Sequence, residues 1–239
     1  MGILLISQMR KAIKDYDMIQ NGDNIAVGVS GGKDSLAMLY GLSQIKGRIE
    51  QSFEILAVTL QLSETNPDTD YIKDFCDRIN VKLFIKRTDI EQIVFEARKE
   101  KSPCSLCANL RRGILNDTAK TLGCNKVALG HNKDDAIETF LMCMFYEGRL
   151  HSFAPVTYLS RKDITVIRPL IYSFENDIKS FNEKNNIKPV KTLCPVAGKT
   201  NRQRIKEYIE AESIINPNFK YNLFRSLTTG GISNWKEVI

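Results

Sequence analysis

The sequence predicts an α/β protein built on a doubly wound parallel sheet, and two observations carry that expectation. Short apolar runs alternate with segments of helical period, the pattern of a parallel sheet covered by helices. Two glycine-bearing turns, Gly28-Val29-Ser30-Gly31-Gly32-Lys33-Asp34-Ser35 and Gly130-His131-Asn132-Lys133-Asp134-Asp135, each follow such a run and open a helix. Ligands of doubly wound sheets sit at the carboxyl ends of the strands, so the two turns are expected to share one crevice.

The elements follow in order. Residues 8–19 place Met9, Ile13, Tyr16 and Ile19 on one face of a short basic helix, and residues 1–24 form an N-terminal helical segment. Residues 25–27 are the first strand, 53–62 the second, 81–87 the third and 126–129 the fourth, each apolar and bounded by turn residues. Helices are expected over 70–79, 91–99 and 110–122, with 63–68 as a loop. A helix over 135–146, a fifth strand over 164–167 and a helix over 175–185 complete a main domain of residues 25–198, whose last stretch, 189–198, is loop. Residues 199–239 form a helical tail: a charged helix over 200–213 and an aromatic, basic end.

A chain of 239 residues with 43% hydrophobic content supports one sizeable core. No run of 18 apolar residues suggests a membrane span, and the opening residues are too short and weakly flanked for a secretory signal, so the expected location is the cytoplasm. The net charge of +6 suits a polyanionic partner such as RNA without requiring one. Six cysteines in such a chain read as metal ligands, catalytic thiols or buried apolar residues before disulfides.

The first turn has the chemistry of a phosphate loop. Adjacent Gly31 and Gly32 let successive N–H groups approach an anion, and the following helix start adds its positive end. Ser30 and Ser35 donate hydroxyls, Lys33 supplies a cation and Asp34 a carboxylate. The string is not a Walker loop, because Gly28 to Gly32 is one residue short and Asp34 follows the lysine; nor is it a dinucleotide fingerprint. In the second turn, Asp134 and Asp135 suit either a magnesium ion, the orientation of a reacting group, or simple capping of the helix.

Cys104 and Cys107 stand at C-x-x-C spacing directly before the helix expected from about residue 108. One pair does not make a zinc site, which takes four ligands. Cys194, in a proline- and glycine-containing loop, is the third candidate, whereas Cys76, Cys124 and Cys143 fall in apolar contexts and read as core. Three thiols suit an iron–sulfur cluster with one iron left open for a ligand such as sulfide; zinc and a metal-free thiol relay are the competing readings. Arg111-Arg112, one turn past Cys107, are either a solvated face or a binding site for ATP or tRNA phosphate.

Together these pieces resemble the tRNA 2-thiolation enzymes of the PP-loop superfamily, in particular the tRNA 2-thiocytidine synthetases. The resemblance runs from about Ala12 to Arg204 through Asp17-Met18-Ile19, the Ser30-to-Ser35 loop, Cys104-Ser105-Leu106-Cys107 with Leu110-Arg111-Arg112-Gly113, and Gly130-His131…Asp134-Asp135. It continues through Met144-Phe145-Tyr146-Glu147-Gly148, Ile167-Arg168-Pro169-Leu170 and Cys194.

The resemblance implies an adenine nucleotide hydrolase-like fold with ATP at Ser30, Gly31, Gly32, Lys33, Asp34, Ser35 and Gly130. It implies a [4Fe-4S] cluster on Cys104, Cys107 and Cys194, and Mg2+. It further implies a tRNA partner, cytidine 32 as target, and a sulfur donor that is sulfide or the persulfide of a cysteine desulfurase. Adenylation turns the C2 oxygen into a leaving group, and sulfur at the open iron then displaces AMP. Lys33, Asp134 and Asp135 are the implied catalytic groups. Arg111 joins them by electrostatic stabilisation, since a guanidinium cannot act as a base. Relatives also imply a homodimer. Gly130-His131-Asn132 is closer to the 2-thiouridine branch, which keeps that product as an alternative. Sulfur transfer or removal on a small molecule is another alternative, and a non-catalytic RNA-binding module is the third.

Overall fold

Ile25, Ala26 and Val27 are fully buried, as expected for a strand covered on both faces, and the sheet grows outward from them. The computed structural model describes residues 2–62, 69–97, 103–190, 200–232 and 235. In chain order it contains α1 (Gly2–Asp15), β1 (Asp23–Gly28), α2 (Lys33–Ile45), β2 (Phe53–Gln61), α3 (Thr69–Arg78) and β3 (Leu83–Arg87). A π-helical turn (Gln92–Ala97), α4 (Pro103–Thr121), β4 (Lys126–Ala128) and α5 (Lys133–Glu147) follow. The remainder is β5 (Val156–Leu159), β6 (Ile164–Ile167), α6 (Glu175–Lys184), α7 (Asn201–Ile215) and α8 (Phe219–Thr229).

The strand order is β3-β2-β1-β4-β6-β5. Every pairing is parallel except that of β5 with β6. The chain leaves β1 toward β2 on one side and later returns to pair β4 on the other. The topological switch therefore lies between β1 and β4, and their carboxyl ends open a crevice there.

The two faces are covered unequally. Side chains of α1, α2, α3, α5 and α6, joined by Ile205 and Ile209 of α7 and by Phe224 and Leu227 of α8, form the larger core. On the other face Leu115 and Ala119 of α4 pack on Ala26, Val58, Val127 and Val166. Cys76, Cys124 and Cys143 are buried, as their apolar settings implied.

The structure corrects four details. β5 has no counterpart in the sequence reading: four residues, half exposed and next to Pro155, carry too little apolar pattern to stand out, and the strand exists by its hairpin with β6. Residues 164–167 are consequently the sixth strand in chain order. Residues 92–97 form a π-helical turn where an α-helix over 91–99 was expected, and residues 98–100 lie outside the described residues. Helix α4 begins at Pro103, so Cys104 and Cys107 lie in its first two turns and do not precede it; proline is favoured at a first helical position, where no N–H is needed. Among the described residues no helix is long and apolar enough to cross a membrane.

At the opposite end of the strands, Asp23 opens β1 and Lys126 opens β4, and both are buried. The Lys126 ammonium meets an Asp23 carboxylate oxygen at 2.7 Å and donates to the Met18 carbonyl at 2.9 Å. Asp23→Ala leaves a buried ammonium without its counter-charge. Urea denaturation should show a stability loss of about 3–5 kcal/mol, whereas Asp23→Ala combined with Lys126→Met should recover much of it.

Candidate active site

The phosphate-loop motif forms a closed turn between β1 and α2. Gly31 adopts φ +78°, and a Cβ there would lie 3.0 Å from Val190 Cβ, so glycine is required on both counts. The Val190 N–H donates to the Gly31 carbonyl at 2.8 Å. Ser35 Oγ donates to the Gly32 carbonyl at 3.0 Å, and the Ser30 N–H reaches Ser35 Oγ at 3.2 Å. Gly32 is the N-cap of α2 and has no side chain to cap it, which leaves first-turn N–H groups available to an anion.

The second turn is pressed against the first. A Cβ on Gly130 would sit 3.1 Å from both the Asp34 carbonyl carbon and the Ser35 nitrogen, so only glycine allows β4 to approach the start of α2 this closely. Asn132 caps α5: its side chain accepts from the Asp135 N–H at 3.0 Å, and the Asp135 carboxylate accepts from the Asn132 N–H at 3.0 Å. The Asn132 amide also donates to Asp34 at 3.1 Å, binding the two motifs side chain to side chain.

The two aspartates of the motif part company. Asp135 lines the crevice. Asp134 turns to the C-terminal helices, where its carboxylate accepts from the Glu175 N–H at 2.7 Å and from Lys220 at 2.7 Å. The expectation of two carboxylates facing the crevice together is corrected to one, because consecutive residues at a helix start point about a quarter-turn apart. Lys133 is also directed away, its ammonium 4.4, 4.7 and 4.3 Å from the ring centres of Phe174, Tyr221 and Phe224.

Between the two turns lies a cavity of about 470 Å³, a size suited to a nucleotide-scale ligand. Ser30, Gly32, Asp34, Ser35, Gly130 and Asp135 line it from one side, and Arg111 and Arg112 from α4 line it from another. Lys33 stands beside them, bonded to Asp34 at 2.8 Å and 3.6 Å from Glu175. Burial opposes the lysine's charge, but the Asp34 hydrogen bond and both carboxylates hold its pKa above the ordinary value.

Positions 104, 107, 108 and 111 recur at helical spacing on one stripe of α4, and Ala108 and Arg111 of that stripe line the cavity. Cys104 is exposed and Cys107 half-buried on the same stripe. Cys194 lies outside the described residues, but Val190 before it lines the cavity and Arg202 after it bonds Asp135 at 3.1 Å. Thiols on a cavity-facing stripe are soft donors suited to iron or zinc. Among the described residues no further His, Cys, Asp or Glu completes a three-ligand group with them.

Four groups that the sequence reading left without a role shape the electrostatics. His131 lines the cavity, and burial, followed by the fields of Arg168, Arg202 and Arg112, holds its pKa down to about 3, so the imidazole is neutral. Arg168, at the end of β6, is buried and donates to His131 Nδ1 at 3.3 Å and to the Ala154 carbonyl at 2.6 Å. Arg202 bonds Asp135 and lies 3.5 Å from Glu138. Burial pushes Glu138 up to about 7 against the pull of Arg202. The Arg-Pro step closing a strand and the i,i+3 spacing of Asp135 and Glu138 are the signals that could have found them.

Two outcomes follow from this geometry. Gly130→Ala should cost nucleotide affinity on the order of 1–3 kcal/mol by titration calorimetry, with far-UV circular dichroism unchanged, because the new methyl meets backbone that cannot yield. Glu138 ionises near 4.5 when unfolded and near about 7 when folded. The unfolded chain therefore loses its proton first, and stability falls as pH rises through that window, by ~3 kcal/mol from this one group. Glu138→Gln should flatten that part of the slope in urea melts at several pH values.

A profile described as a PP-loop domain matches residues 4–212. The tRNA-cytidine(32) 2-sulfurtransferase of Citrifermentans bemidjiense is 37% identical over 225 residues, spanning 93% of this chain and 88% of that protein. The enzyme of the same name from Geobacter sulfurreducens is 38% identical over 91% of this chain and 86% of its own length. Among solved structures, the U34-tRNA thiolase NcsA from Methanococcus maripaludis with its [4Fe-4S] cluster superposes with a TM-score of 0.75 at 24% identity. The match covers 92% of this chain and 76% of that one, a likeness of fold. By the profile match and these identities over most of its length, the chain belongs to the PP-loop family of tRNA 2-thiolation enzymes, with the tRNA-cytidine(32) 2-sulfurtransferases as its relatives.

Proposed function

We propose that this protein is an ATP- and iron–sulfur-dependent tRNA sulfurtransferase that converts cytidine 32 to 2-thiocytidine in the cytoplasm. The observation that carries the reading is convergence: the Ser30-to-Ser35 loop, the Gly130-to-Asp135 turn and Ala108, Arg111 and Arg112 of α4, just past Cys104 and Cys107, line one cavity. Its relatives bear the name of that activity.

In this reading the loop N–H groups, Ser30, Ser35 and Lys33 hold the β- and γ-phosphates of ATP. Asp34 and Asp135 face the same cavity and are the carboxylates suited to its Mg2+. The C2 oxygen of the cytosine attacks the α-phosphorus, and the bond to pyrophosphate breaks. Arg111 offsets the negative charge that builds on the α-phosphoryl oxygens. A sulfur nucleophile then attacks C2, and the C–O bond breaks with release of AMP. Asp134, bonded to Lys220 and the start of α6, takes no part in chemistry and supports the turn from behind. Cys104, Cys107 and Cys194 would hold a [4Fe-4S] cluster, which would supply a soft metal centre for the incoming sulfur. The sulfur comes from sulfide or a desulfurase persulfide, and the working unit is a homodimer.

The test uses anaerobically purified protein with ATP, magnesium, sulfide and unthiolated tRNA. Nucleoside mass spectrometry should show 2-thiocytidine, with one AMP released per thiolated base. Appearance of 2-thiouridine would move the target to the other branch, and absence of any thionucleoside in iron-loaded protein would reject the reading. Cys104→Ala, Cys107→Ala and Cys194→Ala should each lose iron and thiolation while keeping ATP affinity; full activity in any one removes that residue from the ligand set.

A further inference from the structure

The carboxylates of the crevice are already committed. Asp34 is held by Lys33 and Asn132, and Asp135 by Arg202 and the Asn132 N–H. Three guanidinium groups on the α4 and β6 side have no carboxylate partner among the described residues: Arg111, Arg112 and Arg168. A buried cation without a counter-charge is costly to a fold, and Arg168 is buried. Its hydrogen bonds go to the Ala154 carbonyl at 2.6 Å, to Thr157 Oγ1 at 3.3 Å and to His131 Nδ1 at 3.3 Å, all neutral acceptors. The guanidinium also lies over the Phe153 ring at 4.9 Å, and no carboxylate among the described residues meets its charge.

The bond to His131 settles a tautomer. A guanidinium only donates, so His131 Nδ1 accepts, and a neutral imidazole then carries its proton on Nε2. The Phe153 ring, 4.9 Å from the imidazole centre, packs against the same side chain. His131 lines the cavity, and its Nε2–H has no acceptor among the described residues. A fixed neutral donor therefore shares the cavity lining with Arg111 and Arg112 and is held by Arg168, three cations without a carboxylate partner among the described residues.

We propose that His131, oriented by Arg168 and sharing the cavity lining with Arg111 and Arg112, is a second phosphate subsite of the crevice, distinct from the pyrophosphate loop. Its occupant is a single phosphoryl group, either the α-phosphate of the nucleotide or a backbone phosphodiester beside the target base. His131 contacts that phosphate as donor, and Arg168 is a positioning residue that acts through His131. The inference rests on the proposed function only in taking ATP and tRNA as the ligands of this crevice.

Two substitutions separate the donor from the ring. His131→Gln carries an amide N–H to the place of Nε2, whereas His131→Asn reaches only the place of Nδ1 and leaves the Nε2 position empty. Affinity is measured for ATP without tRNA and for tRNA without ATP. His131→Asn should weaken one of them roughly 10- to 100-fold, the scale of a hydrogen bond to a charged group, and His131→Gln should restore most of it. A loss confined to ATP identifies the α-phosphate. A loss confined to tRNA, with the salt dependence unchanged because the lost donor carries no charge, identifies the RNA backbone.

Arg168→Met supplies a readout independent of binding. The chain has two histidines, so 15N-labelled imidazole resonances are readily assigned, and the Nε2–H form of His131 should give way to a tautomer mixture. If Arg168→Met does not fold, the Gln and Asn pair still decides. Unchanged affinities for both ligands in His131→Asn overturn the subsite. If the wild-type protein binds neither ligand, the proposed function fails instead, which keeps the two outcomes apart.

Discussion

The parallel pairing of β1 with β4 is the constraint on which the rest depends. It sets Val27 beside Ala128, so that the turns leaving the two strands emerge side by side although about 100 residues separate them in sequence. The contact tightens because Gly130 has no Cβ: the backbone of Asp34 and Ser35 occupies the space where one would stand. With the two turns in register, Asn132 can cap α5 and reach Asp34 at once. A shift of either turn would break both bonds and open the cavity.

Charge is distributed so that the loop side is internally balanced and the α4 side is not. Glu175, at the start of α6, is central to the balanced side: it accepts from Lys206 at 2.7 Å and Lys179 at 3.0 Å, and lies 3.6 Å from Lys33. Burial would raise its pKa, but the hydrogen bonds from Lys206 and Lys179 hold it down to about 2, so it remains a carboxylate throughout the physiological range. Through it α2, α6 and α7 meet at one point behind the phosphate loop. On the α4 side Arg111 and Arg112 line the cavity without a carboxylate partner among the described residues, and the buried Arg168 behind His131 has none either.

The fold class and the two turns were legible because each rests on local rules: β-period apolar runs, glycine where φ or close approach demands it, and a helix start after each turn. Core assignment of Cys76, Cys124 and Cys143 was legible for the same reason. What could not be read locally was decided by tertiary partners. β5 exists only as the hairpin partner of β6, and the partners that Asp134 and Asp135 meet, Lys220 of α8 and Arg202 of α7, come from distant parts of the chain. Arg168 was visible as an Arg-Pro step, but its importance comes from lacking a carboxylate, and an absence of that kind is invisible in one dimension. Cys194 was picked out by its loop context, and its geometry lies outside the described residues.

The enclosure of Lys133 has a consequence for how the chain matures on the ribosome. Of the three rings around its ammonium, Phe174 follows it by some forty residues, while Tyr221 and Phe224 belong to α8, as does the Lys220 that pairs with Asp134. A nascent chain that has completed β6 still lacks these partners, and the start of α5 stays half-wrapped until α8 emerges. The Gly130-to-Asp135 turn is thus locked from behind by a helix made only after every strand of the sheet, so this wall of the crevice is completed after the sheet itself.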